Sequence, residues 1–79
     1  MQKKVEIYST PTCHYCHMAK DFFNENGIAY TEYDVASDLA KRKEMVDLTS
    51  QMGVPVIKID GDWVIGFNKT AVAKKLGLI

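Results

Sequence analysis

At 79 residues the chain has room for one domain spanning 1–79, of a size at which folding buries only about 60% of the surface the unfolded chain exposes. Apolar residues make up 47% and charged residues 25%, an ordinary globular balance that excludes a disordered or fibrous chain. Ten basic residues offset ten acidic ones with no like-charge block, so nucleic acid and anionic membrane are poor partners for it.

Val5 to Ser9 carries the β-branched and aromatic residues of a strand, and Thr10-Pro11-Thr12 breaks it. From Cys13 to about Asn26 the apolar positions Tyr15, Ala19, Phe22 and Phe23 recur at helical spacing, and Gly27 stands where a left-handed cap would end the helix. Ile28 to Val35 reads as a second strand, and a strand-helix-strand unit implies a right-handed parallel crossover. Ser37 or Asp38 is placed to cap a second helix ending at Gly53, with Leu39, Met45, Val46, Leu48 and Met52 read as its core-packing residues. Val54 to Ile59 and Asp62 to Ile65 are two strands joined by Asp60-Gly61, the dipeptide of a tight hairpin. Pro55 donates no ladder hydrogen bond and suits only the start of its strand. Lys69 to Leu76 forms a last helix with Ala71, Val72, Ala73 and Leu76 as its apolar stripe. The order β-α-β-α-β-β-α predicts an α/β domain: a four-stranded mixed sheet with helices on both faces.

No apolar run approaches the roughly 20 residues of a spanning helix. Met1-Gln2-Lys3-Lys4 enters the first strand without the features of a secretory signal. The expectation is a soluble, cytoplasmic monomer, and in that compartment a cysteine pair is more often catalytic or metal-binding than a structural staple.

Cys13 and Cys16 are the only cysteines in the chain, and both fall at the corner between the first strand and the first helix. A bridge across two intervening residues constrains the unfolded chain very little, so a staple is a poor use for them. The pair instead suits a dithiol–disulfide cycle. Cys13 stands at the helix N-terminus, where unpaired N–H groups and aligned peptide dipoles favour the thiolate, the reactive form. Cys16 lies almost a turn further in and should be more buried. These positions assign Cys13 as attacker of a substrate disulfide and Cys16 as resolver of the mixed disulfide. His14 adds positive charge beside Cys13 when protonated, although an exposed residue of no special role is the plainer reading for both His14 and His17. Tyr15 is either a wall of a substrate groove or plain surface. Lys20 reads as solvated, with assistance to a thiolate as its functional alternative. Trp63 and Phe67 read as packing residues, Phe67 also as an aromatic contact for a partner protein.

Two other chemistries fit the same residues. Cys13-His14-Tyr15-Cys16-His17 satisfies the haem-attachment pattern, against which stand the strand-rich chain and the missing export signal. A zinc or iron–sulfur site is the alternative function, yet the chain holds no further Cys or His to complete four ligands, and no metal is assigned.

Thr12-Cys13-His14-Tyr15-Cys16-His17-Met18-Ala19-Lys20, with Gly53-Val54-Pro55-Val56 and Gly66-Phe67, resembles the dithiol glutaredoxins and glutaredoxin-like proteins of the thioredoxin superfamily over nearly the whole chain. The resemblance implies a thioredoxin fold and a thiol–disulfide oxidoreductase that binds no cofactor. Its partners would be disulfide-containing proteins and an external reductant, either glutathione or NADPH acting through thioredoxin reductase. Val54-Pro55 would be a cis-proline loop beside the cysteines, with the Val54 backbone pairing to an extended substrate and Gly66-Phe67 on the same face. Three positions depart from family patterns. Thr10 stands where glutathione-using relatives commonly carry Lys, and Gly66-Phe67-Asn68 replaces a Gly-Gly pair followed by Asp. Ile7 stands where many thioredoxins place a buried Asp. The Gly-Phe pair is similar to that of glutaredoxin-like electron donors of ribonucleotide reductase, which are reduced by thioredoxin reductase.

Overall fold

The computed structural model describes residues 3–78. Met1 and Gln2, on which part of the signal-peptide reading rests, lie outside the described residues, as does Ile79. Seven elements follow in order: β1 (Val5–Ser9), α1 (His14–Glu25), β2 (Thr31–Asp34), α2 (Leu39–Thr49), β3 (Val56–Ile59), β4 (Asp62–Ile65) and α3 (Lys69–Lys75). The sheet order is β2-β1-β3-β4, with β1 parallel to β2 and antiparallel to β3, and β3 antiparallel to β4. Type and order of every element match the sequence reading.

The central strand explains the layering. All five residues of β1 are buried, and because successive strand side chains point to opposite faces, each face needs its own cover. Val5 and Ile7 join Ala19, Phe22 and Phe23 of α1, Ile57, Ile59 and Val64 of the hairpin, and Val72 and Ala73 of α3. Tyr8 faces the other way, among Val35, Met45 and Val56. Helices α1 and α3 thus cover one face and α2 the other. Burying a side chain such as Val5 or Ile7 contributes about 1.5–3 kcal/mol, so this two-sided strand is an apolar anchor for the corner that follows it.

Helix α2 departs from the sequence reading. Of its expected core residues only Met45 is buried, with Val46 partly so, whereas Leu39, Leu48 and Met52 are 67%, 59% and 68% exposed. Leu39 and Leu48 are nine positions apart, which at about 100° per residue puts them on opposite sides of a helix. Met52 lies past the helix, which ends at Thr49 because Ser50 turns left-handed at φ 58°, rather than continuing to Gly53. Polar side chains take part of the sheet-facing surface: the Tyr8 hydroxyl donates to Glu44 Oε1 at 2.6 Å, and Lys41 Nζ lies 4.3 Å from the Tyr33 ring centroid.

Strand boundaries also tighten for stated reasons. Ile28 and Tyr30 pack into the core, but the β1–β2 ladder begins at Glu6 opposite Thr31, so β2 is shorter than expected. Strand β3 begins at Val56, after the proline that cannot donate to a ladder. The hairpin has positive φ at Asp60 (50°) and Gly61 (95°), as the Asp-Gly turn requires. Among the described residues, no helix is long and apolar enough to cross a membrane.

Candidate active site

Cys13 is the N-cap of α1 and lies just outside the helix proper, with φ −85° and ψ 113°. Its sulfur does what a Ser or Asp side chain does at such a position: Sγ accepts the Cys16 N–H at 3.2 Å. The Cys13 N–H in turn donates to the Thr10 carbonyl at 3.3 Å, closing the turn that delivers the chain from β1 into the helix. On its other side the Cys13 thiol donates to the Val54 carbonyl at 3.7 Å.

That carbonyl belongs to the Val54-Pro55 peptide, which is cis. Pro55 is buried, and its carbonyl accepts the Gly66 N–H at 2.9 Å, where Gly66 has φ 77°. Three segments distant in sequence therefore meet around Cys13: the β1–α1 corner, the proline loop and the end of β4. Phe67, next to Gly66, packs half-buried on Phe22 with ring centroids 5.8 Å apart.

The two sulfurs have different surroundings. Cys13 is half-buried, whereas Cys16 is wholly buried at 0% exposure. Burial pushes the Cys16 thiol up to about 12, and its hydrogen bond with Cys13 adds to the rise. The backbone of Thr10 and the charge of Lys20 act in the opposite direction.

The remaining sequence candidates sit as follows. Tyr15 is 60% exposed and meets the His14 ring edge-on at 5.7 Å. His14 is exposed, and the imidazole Nε2 of His17 lies 2.9 Å from the Pro11 carbonyl. Trp63 packs against Tyr8 at 5.6 Å, in keeping with its packing role. Lys20 corrects the reading of a solvated side chain: it is only 18% exposed and its Nζ lies 2.8 Å from Glu32 Oε2. The Ser9 hydroxyl donates to the same oxygen at 2.7 Å.

Ser9 and Glu32 are residues the sequence reading missed. Glu32 stands in strand alternation with the core-packed Ile28 and Tyr30, which is the signal that it too points toward α1. Parallel pairing of β1 with β2, which sets Ile7 opposite Glu32, then carries the carboxylate under the helix.

A glutaredoxin family model matches residues 5–64. The chain belongs to the glutaredoxin family. It is 44% identical over 70 residues to an uncharacterized glutaredoxin-like 8.6 kDa protein in the rubredoxin operon of Clostridium pasteurianum, covering 89% of this chain and 93% of that one. It is 39% identical over 62 residues to glutaredoxin 3 of Escherichia coli K12, covering 78% and 75% of the two chains. Among solved structures, a mutant of a thioredoxin-like protein superposes with a TM-score of 0.91 at 33% identity, covering 96% of this chain and 97% of that one. The fold is thus a thioredoxin fold, and membership of the glutaredoxin family brings a thiol–disulfide oxidoreductase-like activity.

Among the described residues, no group of three or more His, Cys, Asp or Glu is arranged to hold a metal ion. Thioether attachment of a haem would require the Cys16 sulfur, which has no exposed surface.

Proposed function

We propose that the protein reduces protein disulfides, or mixed disulfides with glutathione, through a cycle in which Cys13 attacks and Cys16 resolves. The observation that carries this reading is the contrast between the two sulfurs: Cys13 caps a helix at an accessible corner, and Cys16 is fully buried behind it. The Cys13 thiolate breaks the substrate disulfide, one substrate sulfur leaves, and Cys13 holds the other in a mixed disulfide. Cys16 then attacks Cys13, releases the second substrate sulfur and leaves the Cys13–Cys16 disulfide. The oxidised pair takes two electrons from an external reductant. Glutathione is the reductant suggested by the family, and NADPH through thioredoxin reductase is the route toward which Thr10 and Phe67 lean.

Val54, Pro55 and Gly66 form the wall against which an extended substrate segment pairs, with Tyr15 and Phe67 as flanking aromatic contacts. His14 adds charge at the rim when protonated. In this role the protein is a cytoplasmic monomer that donates electrons to disulfide-containing partners and so contributes to cell redox homeostasis. The test is paired turnover, with glutathione plus glutathione reductase and with thioredoxin reductase, on the native protein and on Cys16→Ser. At least one reductant should sustain reduction of a protein disulfide by the native chain. The Cys16→Ser variant should accumulate a mixed disulfide at Cys13 without turning over. Full protein-disulfide turnover by Cys16→Ser would reject the scheme.

A further inference from the structure

Below the cysteines, between β1, α1 and β2, an open cleft of about 380 Å³ is lined by Ser9, Pro11, His17, Lys20, Glu32 and Asp34. Its Lys20–Glu32 pair is not used in the cycle described above. Lys20 stands four residues after Cys16 on α1, and residues at that spacing are neighbours on one helix face. The ammonium therefore lies along the helix from the buried sulfur, held there by Glu32, which Ser9 in turn fixes from β1.

We propose that Lys20 and Glu32 tune the resolving step in opposite directions, the Lys20 ammonium favouring the Cys16 thiolate and the paired Glu32 carboxylate restraining that effect. The inference rests on the dithiol cycle proposed above. In the resolving step the Cys16 S–H bond breaks, its sulfur bonds to Cys13 Sγ, and the bond from Cys13 to the substrate sulfur breaks. The departing thiolate takes up one proton, so one thiol is lost from the protein and one gained by the substrate, and the two electrons go from the dithiol to the substrate disulfide.

Neither charged group serves as the base at neutral pH. The hydrogen bond to Glu32 holds the Lys20 ammonium above its ordinary value, and the hydrogen bonds from Lys20 and Ser9 hold the Glu32 carboxyl below its own. What remains is their field on the buried sulfur, where charge acts more strongly than in water. Other titratable groups that face the pair are His17 on α1, Asp34 on β2 and Tyr30 just before it. These stay unaltered in the variants below.

The reaction of the reduced protein with 5,5′-dithiobis(2-nitrobenzoic acid) separates the steps when the reagent is concentrated enough for the bimolecular attack by Cys13 to outpace the intramolecular attack by Cys16. Attack by Cys13 releases one thionitrobenzoate, and attack by Cys16 on the resulting mixed disulfide releases a second. For Lys20→Gln the second phase should slow roughly three- to tenfold relative to the first, the tenfold limit being one pKa unit of thiolate fraction and the lower figure allowing for the greater nucleophilicity of a more basic thiolate. Lys20→Arg should keep the second phase near the native rate. Glu32→Gln, which retains an oxygen for Ser9 and Lys20, should speed it.

A merely structural role for the pair predicts slowing in both Lys20→Gln and Glu32→Gln, so the opposite signs are the decisive readout. Any other pattern in folded variants overturns the inference. If Lys20→Gln fails to fold, Lys20→Arg and Glu32→Gln carry the test, and a second phase in Glu32→Gln no faster than native overturns it. Release of only one thionitrobenzoate per native protein, with no Cys13–Cys16 disulfide formed, would instead reject the dithiol cycle itself, which keeps the two failures distinguishable.

Discussion

Cys13 and Cys16 belong to two different regions, although both lie within one helical turn. The rim around Cys13 is built from backbone: the Cys16 N–H on its sulfur, the Thr10 carbonyl on its N–H and the Val54 carbonyl beside its thiol. The floor around Cys16 is closed: its sulfur has no exposed surface, feels Cys13 and the Thr10 backbone directly, and has the Ser9, Lys20 and Glu32 side-chain cluster further along the helix. In the proposed cycle the backbone rim presents fixed dipoles to the half-buried attacking sulfur and leaves room for a substrate chain. The closed floor withholds the second sulfur from solvent and sets its proton affinity by burial, hydrogen bonding and charge. In the proposed cycle identical residues thereby acquire different chemical work from their surroundings, with only two positions between them.

The strongest blow to this contrast is the loss of the rim sulfur. Cys13→Ser should reduce disulfide-reductase activity to background under either reductant, because Cys16 has no exposed surface from which to attack a substrate. Activity in Cys13→Ser within tenfold of native would show that the floor sulfur is also a competent first nucleophile.

A smaller effect sharpens the same contrast through stability at alkaline pH. The Cys16 thiol is raised to about 12 in the folded chain, against about 8.5 for a free cysteine. Above the unfolded value the unfolded chain releases its proton while the folded chain retains it. Stability of the reduced protein should therefore be undiminished by this group below about pH 8.5 and fall progressively as pH rises toward 12. Burial raises Tyr8 in the same sense, and its bond to Glu44 adds to it, so that part of the loss is common to both redox forms. Denaturant melts of oxidised and reduced protein across this range should show the steeper decline in the reduced form, where Cys16 still titrates.

The smallest expected effect lies at acid pH. Hydrogen bonds hold Glu32 and Glu44 below the ordinary carboxylate value. Their contribution is present above about pH 4.3, the unfolded glutamate value, and is lost as pH falls through the lower folded values. Both carboxylates are more than a third exposed, so solvent screens the effect. Glu32→Gln should flatten the acid limb of the stability profile slightly, and an unchanged limb would mean that the pair adds nothing to folding.

Much of the frame was legible in the sequence because its signals are local. Asp60-Gly61 specified the hairpin, Gly27 ended α1, and the run from Val5 to Ser9 announced a strand. The pairing of Cys13 with Cys16 followed from spacing alone, and their unequal burial from position along a helix. Resemblance, not spacing, brought Val54-Pro55 and Gly66 to the cysteines, since contacts between segments some forty residues apart leave no local mark. Local pattern misled on α2, where Leu39, Leu48 and Met52 look like core residues but fall on divergent faces or beyond the helix end. It also misled on Lys20, whose partner is supplied by a neighbouring parallel strand. Charged residues near an active corner reveal their role only once strand register is known.

Thiol labelling tests the contrast between rim and floor most directly. Reduced native protein is exposed to limiting iodoacetamide at neutral pH, and modification is mapped to each cysteine by mass spectrometry over time. Cys13 should be modified first and nearly alone, with Cys16 labelled only after denaturation. Equal or faster labelling of Cys16 in the folded protein would contradict the division of roles between the two sulfurs.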